Sequence, residues 1–346
     1  MKRILFVSLA LIVLFYSAAL TIFAEGKKAV EPVGEVEVRK LLLHFQPNDV
    51  FAPHSVAIKK GWFEEAGFEE IELKTFTAGA LAGEALIGGE IHVWNPGNLP
   101  VISMRHNGVP VVVCGVLTVC PAEYLYVRND AGVTRPEDLY NIRIGLLEGS
   151  TQTGVMENLG IHYGLDPGRF ETVNLPPPEQ VTALLNNEIQ ASPLFPPFSY
   201  YPEVHKIATY KFDSLKFSHT NVPIVFTEDF IRKNPNAAKA ILKVLIRGQE
   251  YCDNPANKEE VMKIHQEFTE QTMDIIEMGW DPYWGHPDLP NGPVNKRYVD
   301  DMQNYTDFLF KHGRIKEKMH PLDYTYTRFL KEIKPDYVNL EGRWTP

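Results

Sequence analysis

The sequence predicts an α/β protein of two doubly wound lobes in series, followed by a helical C-terminal region. Three observations predict it. From Val38 to about residue 220, apolar runs of strand length alternate with stretches of helical spacing. Val109 to Val116 is rich in valine, as a buried parallel strand would be. Beyond residue 220 the short runs give way to helical periodicity.

Val38 to Phe45 is the first strand, and Pro53 to Ala66 is helical by the spacing of Val56, Ile58, Trp62 and Phe63. Pro53 suits a helix's first turn and Gly67 its end. A strand at Ile71 to Phe76, a helix at Gly79 to Ile87, a strand at Ile91 to Trp94, a helix at Gly97 to His106 and the Val109 strand complete the first unit. In the second, Tyr124 to Val127, Arg143 to Leu147, Glu171 to Leu175 and Glu188 to Ala191 read as strands. Helical stretches at Pro136 to Leu139, Ser150 to Tyr163 and Pro178 to Leu185 separate them. Glu228 to Asn254, Lys258 to Met278 and Lys296 to Phe310 read as long helices, broken at Asn234-Pro235 and Asn254-Pro255, and Phe329 opens a last short one. Gly279 to Pro293 is a Trp/Pro/Gly-rich loop, expected to pack against a lobe or rim a cleft.

With 346 residues, 44% of them hydrophobic, the chain can build two domains. The net charge is −10 and Lys and Arg are scattered, so no phosphate-binding footprint exists and nucleic acid is excluded as a partner. Cys114, Cys120 and Cys252 fit no zinc spacing. Cys114 and Cys120, if both lie in one extended strand, stand about 20 Å apart at roughly 3.3 Å per residue, and free thiols are expected.

Met1-Lys2-Arg3, the apolar run Ile4 to Phe23 and the small residue Ala24 form the pattern of a cleaved export signal over residues 1–24. An uncleaved anchor is the rival reading. No Cys follows to take a lipid, so a free periplasmic protein is expected. Cleavage takes the basic count from 34 to 32 and the net charge from −10 to −12, which disfavours an anionic membrane surface. Residues 25–37 read as a polar tether.

The sequence lacks G-x-S-x-G, H-E-x-x-H, a phosphate loop and a dinucleotide fingerprint after a strand, and its eleven His residues have no three-ligand spacing. No catalytic residue, metal or cofactor is therefore expected. What carries chemistry is the set of loops beyond strand ends, where parallel α/β sheets bind ligands. Four qualify: His44 to Ser55, Thr75 to Gly79, Trp94 to Asn98, and Glu148 to Thr153. Ser150 and Thr151 serve equally as helix caps or ligand contacts, and both roles can hold at once. Asn95 and Asn98 read either as turn residues around Pro96 or as contacts. Trp94 is either core or a stacking surface, and a Trp before Asn-Pro-Gly is more often half exposed.

The order of motifs resembles the nitrate/sulfonate/taurine-type solute-binding proteins of ABC importers. The residues that carry the resemblance are Val56 to Phe68 (V-A-I-K-K-G-W-F-E-E-A-G-F), Gly83 to Val93, Gly108 to Val113, Arg135 to Leu139, Gly145 to Ser150, Thr182 to Ile189, and Lys233 to Ala237 with Asp253 to Pro255. It runs from about residue 40 to 330. His92 and Gln190 stand where the family usually has Asp, which marks a divergent branch. The resemblance implies a periplasmic-binding-protein-like fold with a first lobe of residues 38–118 plus 221–335 and a second of residues 119–220. The crossings would lie near residues 117–122 and 218–224, closing by hinge motion.

It also implies a monomer that captures a small molecule between its lobes and delivers it to an ABC transporter permease. Gln46, Thr77, Asn95, Asn98, Ser150, Thr151 and Gln152 are expected as polar contacts, His54 as an orienting donor, and Trp94 and Phe195 as apolar walls. The candidate loops hold no Lys or Arg but several aromatic residues, so the expected ligand is a small organic molecule with an anionic or planar group: a sulfonate, a carboxylate or a heterocycle. Two rival readings remain. One is a ligand-presenting partner of a membrane sensor. The other is an enzyme similar to the thiamine-pyrimidine synthases of the same fold, which rely on a Cys-rich iron segment that three isolated cysteines do not supply.

Overall fold

The computed structural model describes residues 34–120, 124–212, 219–285 and 291–346. The export signal, most of the tether, parts of both expected crossings and residues 286–290 of the Trp/Pro/Gly-rich loop lie outside them. Among the described residues no helix is long and apolar enough to cross a membrane.

The first lobe starts with β1 (Lys40–Phe45), whose apolar side chains are almost all buried. α1 (Ala52–Lys59) follows with Pro53 in its first turn, then α2 (Trp62–Glu65). The single helix expected over Pro53 to Ala66 is cut in two by Gly61, whose φ of +69° is open to glycine at little cost. β2 (Glu70–Thr75) pairs in parallel with β1 from Lys40 opposite Glu70 to Phe45 opposite Thr75. α3 (Ala82–Ile87) and α4 (Asn98–His106) flank the segment expected as a strand at Ile91 to Trp94. That segment makes only two bridges, Val93 with Leu43 and Trp94 with Val225. They suffice to join β1 to the next strands.

β3 (Val111–Cys120) is buried along its whole length and reaches four residues beyond the expected strand. It pairs antiparallel with a strand from far along the chain, and that pairing extends it.

The second lobe is one five-stranded sheet in the order β6, β5, β7, β4, β8. Its elements are β4 (Tyr124–Arg128), β5 (Arg143–Leu146), α5 (Thr151–His162), β6 (Glu171–Asn174), α6 (Pro177–Leu185), β7 (Ala191–Leu194), α7 (Pro202–Ile207) and β8 (Ala208–Lys211). Strand alternation sends Leu125 and Val127 into a core with Ile144, Leu159 and Phe170, and Tyr126 into the opposite one with Leu184, Leu194 and Phe198. Both faces are thus covered, as a doubly wound sheet requires. The strand expected at Glu188 starts only at Ala191, because Asn187 in the left-handed region (φ +59°) closes a turn after α6.

β9 (Thr220–Thr227) returns to the first lobe beside β3, with Val111 opposite Thr227 and Cys120 opposite Thr220. The rest is helical: α8 (Glu228–Lys233), α9 (Pro235–Asp253), α10 (Lys258–Thr269), α11 (Met273–Tyr283), α12 (Lys296–Lys311) and α13 (Arg328–Ile333). The helix expected over Lys258 to Met278 is two, broken at Glu270 (φ +57°). The loop expected from Gly279 starts later, because α11 runs on to Tyr283 with Trp280 buried. Cys114, Cys120 and Cys252 are buried and form no disulfide, as the strand argument expects.

Candidate functional site

Chain segments leaving strands of both lobes converge on one inner cavity of about 70 Å³. β1 leads to Gln46, Asn48 and Phe51; Trp94 leads to Asn95, Pro96 and Gly97; β5 leads to Ser150 and Thr151. Phe195 follows β7, Thr220 opens β9 and Tyr283 ends α11. Among the described residues the wall carries no Lys, Arg, Asp or Glu.

Its electrostatics come from the backbone instead. α4 begins behind Gly97, which is extended (φ −80°, ψ −177°) and offers no side-chain cap. α5 begins behind Ser150, whose Oγ accepts from the Gln152 amide at 3.2 Å and donates to the Leu147 carbonyl at 2.6 Å. Each N-terminus carries a partial positive charge, so the two together favour a negative or strongly accepting group between them. A Cβ on Gly97 would fall 2.1 Å from Thr151 Cγ2 and 3.2 Å from Thr220 Cγ2. The lobes therefore touch across the cavity, and only glycine permits it.

Asn95 is fixed from three sides. Its amide donates to His44 Nδ1 at 3.1 Å, its Oδ1 lies 3.1 Å from His54 Nε2, and its Nδ2 donates to the Pro223 carbonyl at 3.2 Å. Burial holds both rings neutral: His44 is pushed well below the usual imidazole range, and His54 down to about 3. His44 accepts at Nδ1, so its proton sits on Nε2, which faces the Gln46 amide nitrogen at 3.3 Å, donor against donor. Both buried histidines thereby orient the same wall residue, Asn95.

Of the residues singled out in the sequence, Gln46, Asn95, Ser150, Thr151 and Phe195 stand on the cavity wall. The other five do not. His54 is buried behind Asn95, its Nε2 directed at that side chain and not at the cavity. Trp94 is fully buried, with Nε1 donating to the Gly79 carbonyl at 2.7 Å, because its ring supports the turn beneath the wall. Asn98 ties α4 to the start of β9, donating to the His219 carbonyl at 3.0 Å and accepting from the Asn221 amide at 3.1 Å. Thr77 is half-buried one position before the lining residue Ala78.

Gln152 is spent inside the second lobe. It exchanges two 2.8 Å bonds with Gln180, accepts from the Leu147 amide and donates to the Pro193 carbonyl. Ser192 also donates to Gln180 Oε1 at 2.9 Å. Gln180→Leu strips Ser192 of its acceptor and the Leu175 carbonyl of its donor, and leaves Gln152 with only the Leu147 amide and the Pro193 carbonyl. We expect urea denaturation to show a loss of about 1–3 kcal/mol per orphaned group; an unchanged midpoint would show the pair to be dispensable.

Sequence reading missed Thr220, Cys120 and Tyr283 as wall residues, since only the β3 and β9 pairing and the end of α11 bring them there. It also missed Asp49. This residue lies fully buried between the wall residues Asn48 and Val50, and neither carboxyl oxygen has a hydrogen-bond partner among the described residues. Oδ2 fills the space where a Cβ on Gly279 would stand, 1.9 Å away. Burial raises its pKa to about 8, partly opposed by its own backbone amide, so the group is largely protonated at neutral pH.

A family profile described as "NMT1/THI5 like" matches residues 48–258. The chain is 26% identical over 278 residues to the taurine-binding periplasmic protein of Escherichia coli K12, covering 76% of this chain and 84% of that one. It shares its fold with the MOPS-bound alkanesulfonate-binding protein SsuA of Xanthomonas axonopodis pv. citri, at TM-score 0.72, 14% identity and coverage of 84% and 99%. The nitrate-binding protein NrtA of Synechocystis PCC 6803 gives TM-score 0.73 at 16% identity, over 89% and 93%. The fold is not confined to binding proteins: the desulfurization enzyme DSZB matches at TM-score 0.60 and 13% identity, over 86% and 99%.

Proposed function

The chain belongs to the NMT1/THI5-like family, and from that premise we propose that it is the extracytoplasmic solute-binding component of an ABC importer. It holds one small molecule between its lobes and delivers it to a membrane permease. In this reading it is a monomer exported by the signal at residues 1–24, and the lobes exchange near residues 118 and 220. The observation that carries the proposal is the meeting of two uncapped or self-capped helix N-termini, one from each lobe, on the same small cavity.

Ligand class follows from size and polarity. The space of about 70 Å³ is roughly half of the ~150 Å³ that accommodates a benzene ring, which favours compact sulfonates and carboxylates over planar heterocycles. Neutral donors and helix termini suit an oxyanion without a cationic side chain. Binding without chemistry is also the simpler reading of a wall whose polar groups orient one another.

The test is a thermal-denaturation panel on ligand-stripped protein starting at Glu25, with taurine, other sulfonates, short carboxylates, inorganic oxyanions and pyrimidines. A true ligand at 100 times its Kd adds about 2.7 kcal/mol, a rise of several degrees in Tm. Replacing Asn95 and Ser150 together by alanine is expected to remove most of that rise. Response to planar heterocycles alone would overturn the ligand class, and an undiminished response in the double variant would overturn the site.

A further inference from the structure

A second, larger space of about 550 Å³ lies on the other side of α4 and α5 from the inner cavity, within the range of small-molecule sites. Its two walls come from different lobes and have opposite character. The second lobe contributes Glu148, Glu157 and Asp166; the turn after α12 contributes His312 and Arg314. Between them, Leu99, Met156, Phe170 and Leu309 form an apolar floor.

Glu157 sets this groove apart from a solvated charged surface. It is only 7% exposed, and its Oε2 has no hydrogen-bond partner among the described residues. Arg314 is near enough to act on it electrostatically but forms no ion pair with it. A buried carboxylate without a partner is costly unless a donor reaches it. Asp166, by contrast, already accepts from the Gly168 amide at 3.0 Å.

We propose that this groove is a second binding site, taking a zwitterionic amino acid with an apolar side chain. Its ammonium meets Glu157, its carboxylate meets Arg314, and its side chain covers the Leu99, Met156, Phe170 and Leu309 floor. Because the two charged walls belong to different lobes, the occupant bridges them. The site is independent of which solute the inner cavity holds.

Calorimetric titration of the full chain uses L-phenylalanine, its amide and 3-phenylpropanoate as probes. The amide keeps only the ammonium and the propanoate only the carboxylate, and a phenyl ring exceeds the inner cavity. L-Phenylalanine is expected to bind about tenfold or more tightly than either truncated probe. Glu157→Gln, nearly isosteric, should weaken L-phenylalanine and the amide by about tenfold or more and leave the propanoate unchanged. Ser103→Trp, which fills the groove from the half-buried face of α4, should abolish binding of all three. Absence of any L-phenylalanine binding to the unaltered protein would overturn the proposal, as would unchanged binding in either folded variant.

Discussion

Gly97→Ala is expected to weaken solute binding by about a hundredfold while the ligand-free protein loses less than about 1 kcal/mol of stability. The backbone at Gly97 is one that alanine adopts freely, so the effect is steric. The added methyl would stand 2.1 Å from Thr151 Cγ2, a contact that neither helix N-terminus can absorb by a rotamer change. The lobes relieve it by staying apart, which leaves the empty protein intact and removes the second wall from the ligand. Overpacking of this kind costs about 1–3 kcal/mol, and each 1.4 kcal/mol is tenfold in Kd. Thr151→Ser removes the opposing methyl, so the double variant should regain most of the affinity. Calorimetry with the strongest ligand from the panel checks both; full affinity in the single variant would mean that the lobes do not close on Gly97.

Asp49→Asn is expected to raise Tm at pH 8 by several degrees and to flatten the stability profile between about pH 4 and 8. The carboxyl's pKa of about 8 in the folded chain compares with about 3.9 unfolded. A raised acid is stabilising when protonated, so its contribution is complete below about pH 4 and is lost as pH climbs through 8. Four units correspond to about 5 kcal/mol as an upper bound.

The buried histidines act in the opposite direction. His44, His54 and His265 are held neutral by burial, so their contribution is complete above about pH 6.5 and falls away as the unfolded chain takes up protons below it. Melting curves from pH 4.5 to 8.5 for both proteins isolate the Asp49 part as their difference. A constant difference across that range would show that Asp49 ionises with a partner.

These two residues also show what was legible in the sequence. The element order was, because strand and helix periods and the punctuation by Pro53, Gly67 and Asn234-Pro235 are local. Element ends were less so: Gly61, Asn187 and Glu270 each turn the chain through the left-handed region, and only Gly61 and Asn187 hint at it by type. In the site, loop membership brought Gln46, Asn95, Ser150, Thr151 and Phe195 to the wall. Side-chain direction was beyond reach. The partners that turn Trp94, Asn98 and Gln152 inward are Gly79, His219 and Gln180, and no short-range pattern pairs residues so far apart. Asp49 looked like one more polar loop residue, and its isolation depends on the fit of α11 over it.

The pairing of β3 with β9 has a consequence for biogenesis. Val111 finds its neighbour Thr227 only after more than a hundred further residues have been made, and the sheet between them includes β1 through the bridges at Val93 and Trp94. As the chain emerges N-terminus first, the first lobe stays incomplete, with a valine-rich strand lacking its neighbour, until the whole second lobe has emerged. The second lobe has all five strands of its sheet within one continuous stretch and can form early. Its early compaction shortens the effective loop that β9 must close, and truncation between Cys120 and Thr220 is expected to leave β3 as an unpaired, aggregation-prone edge.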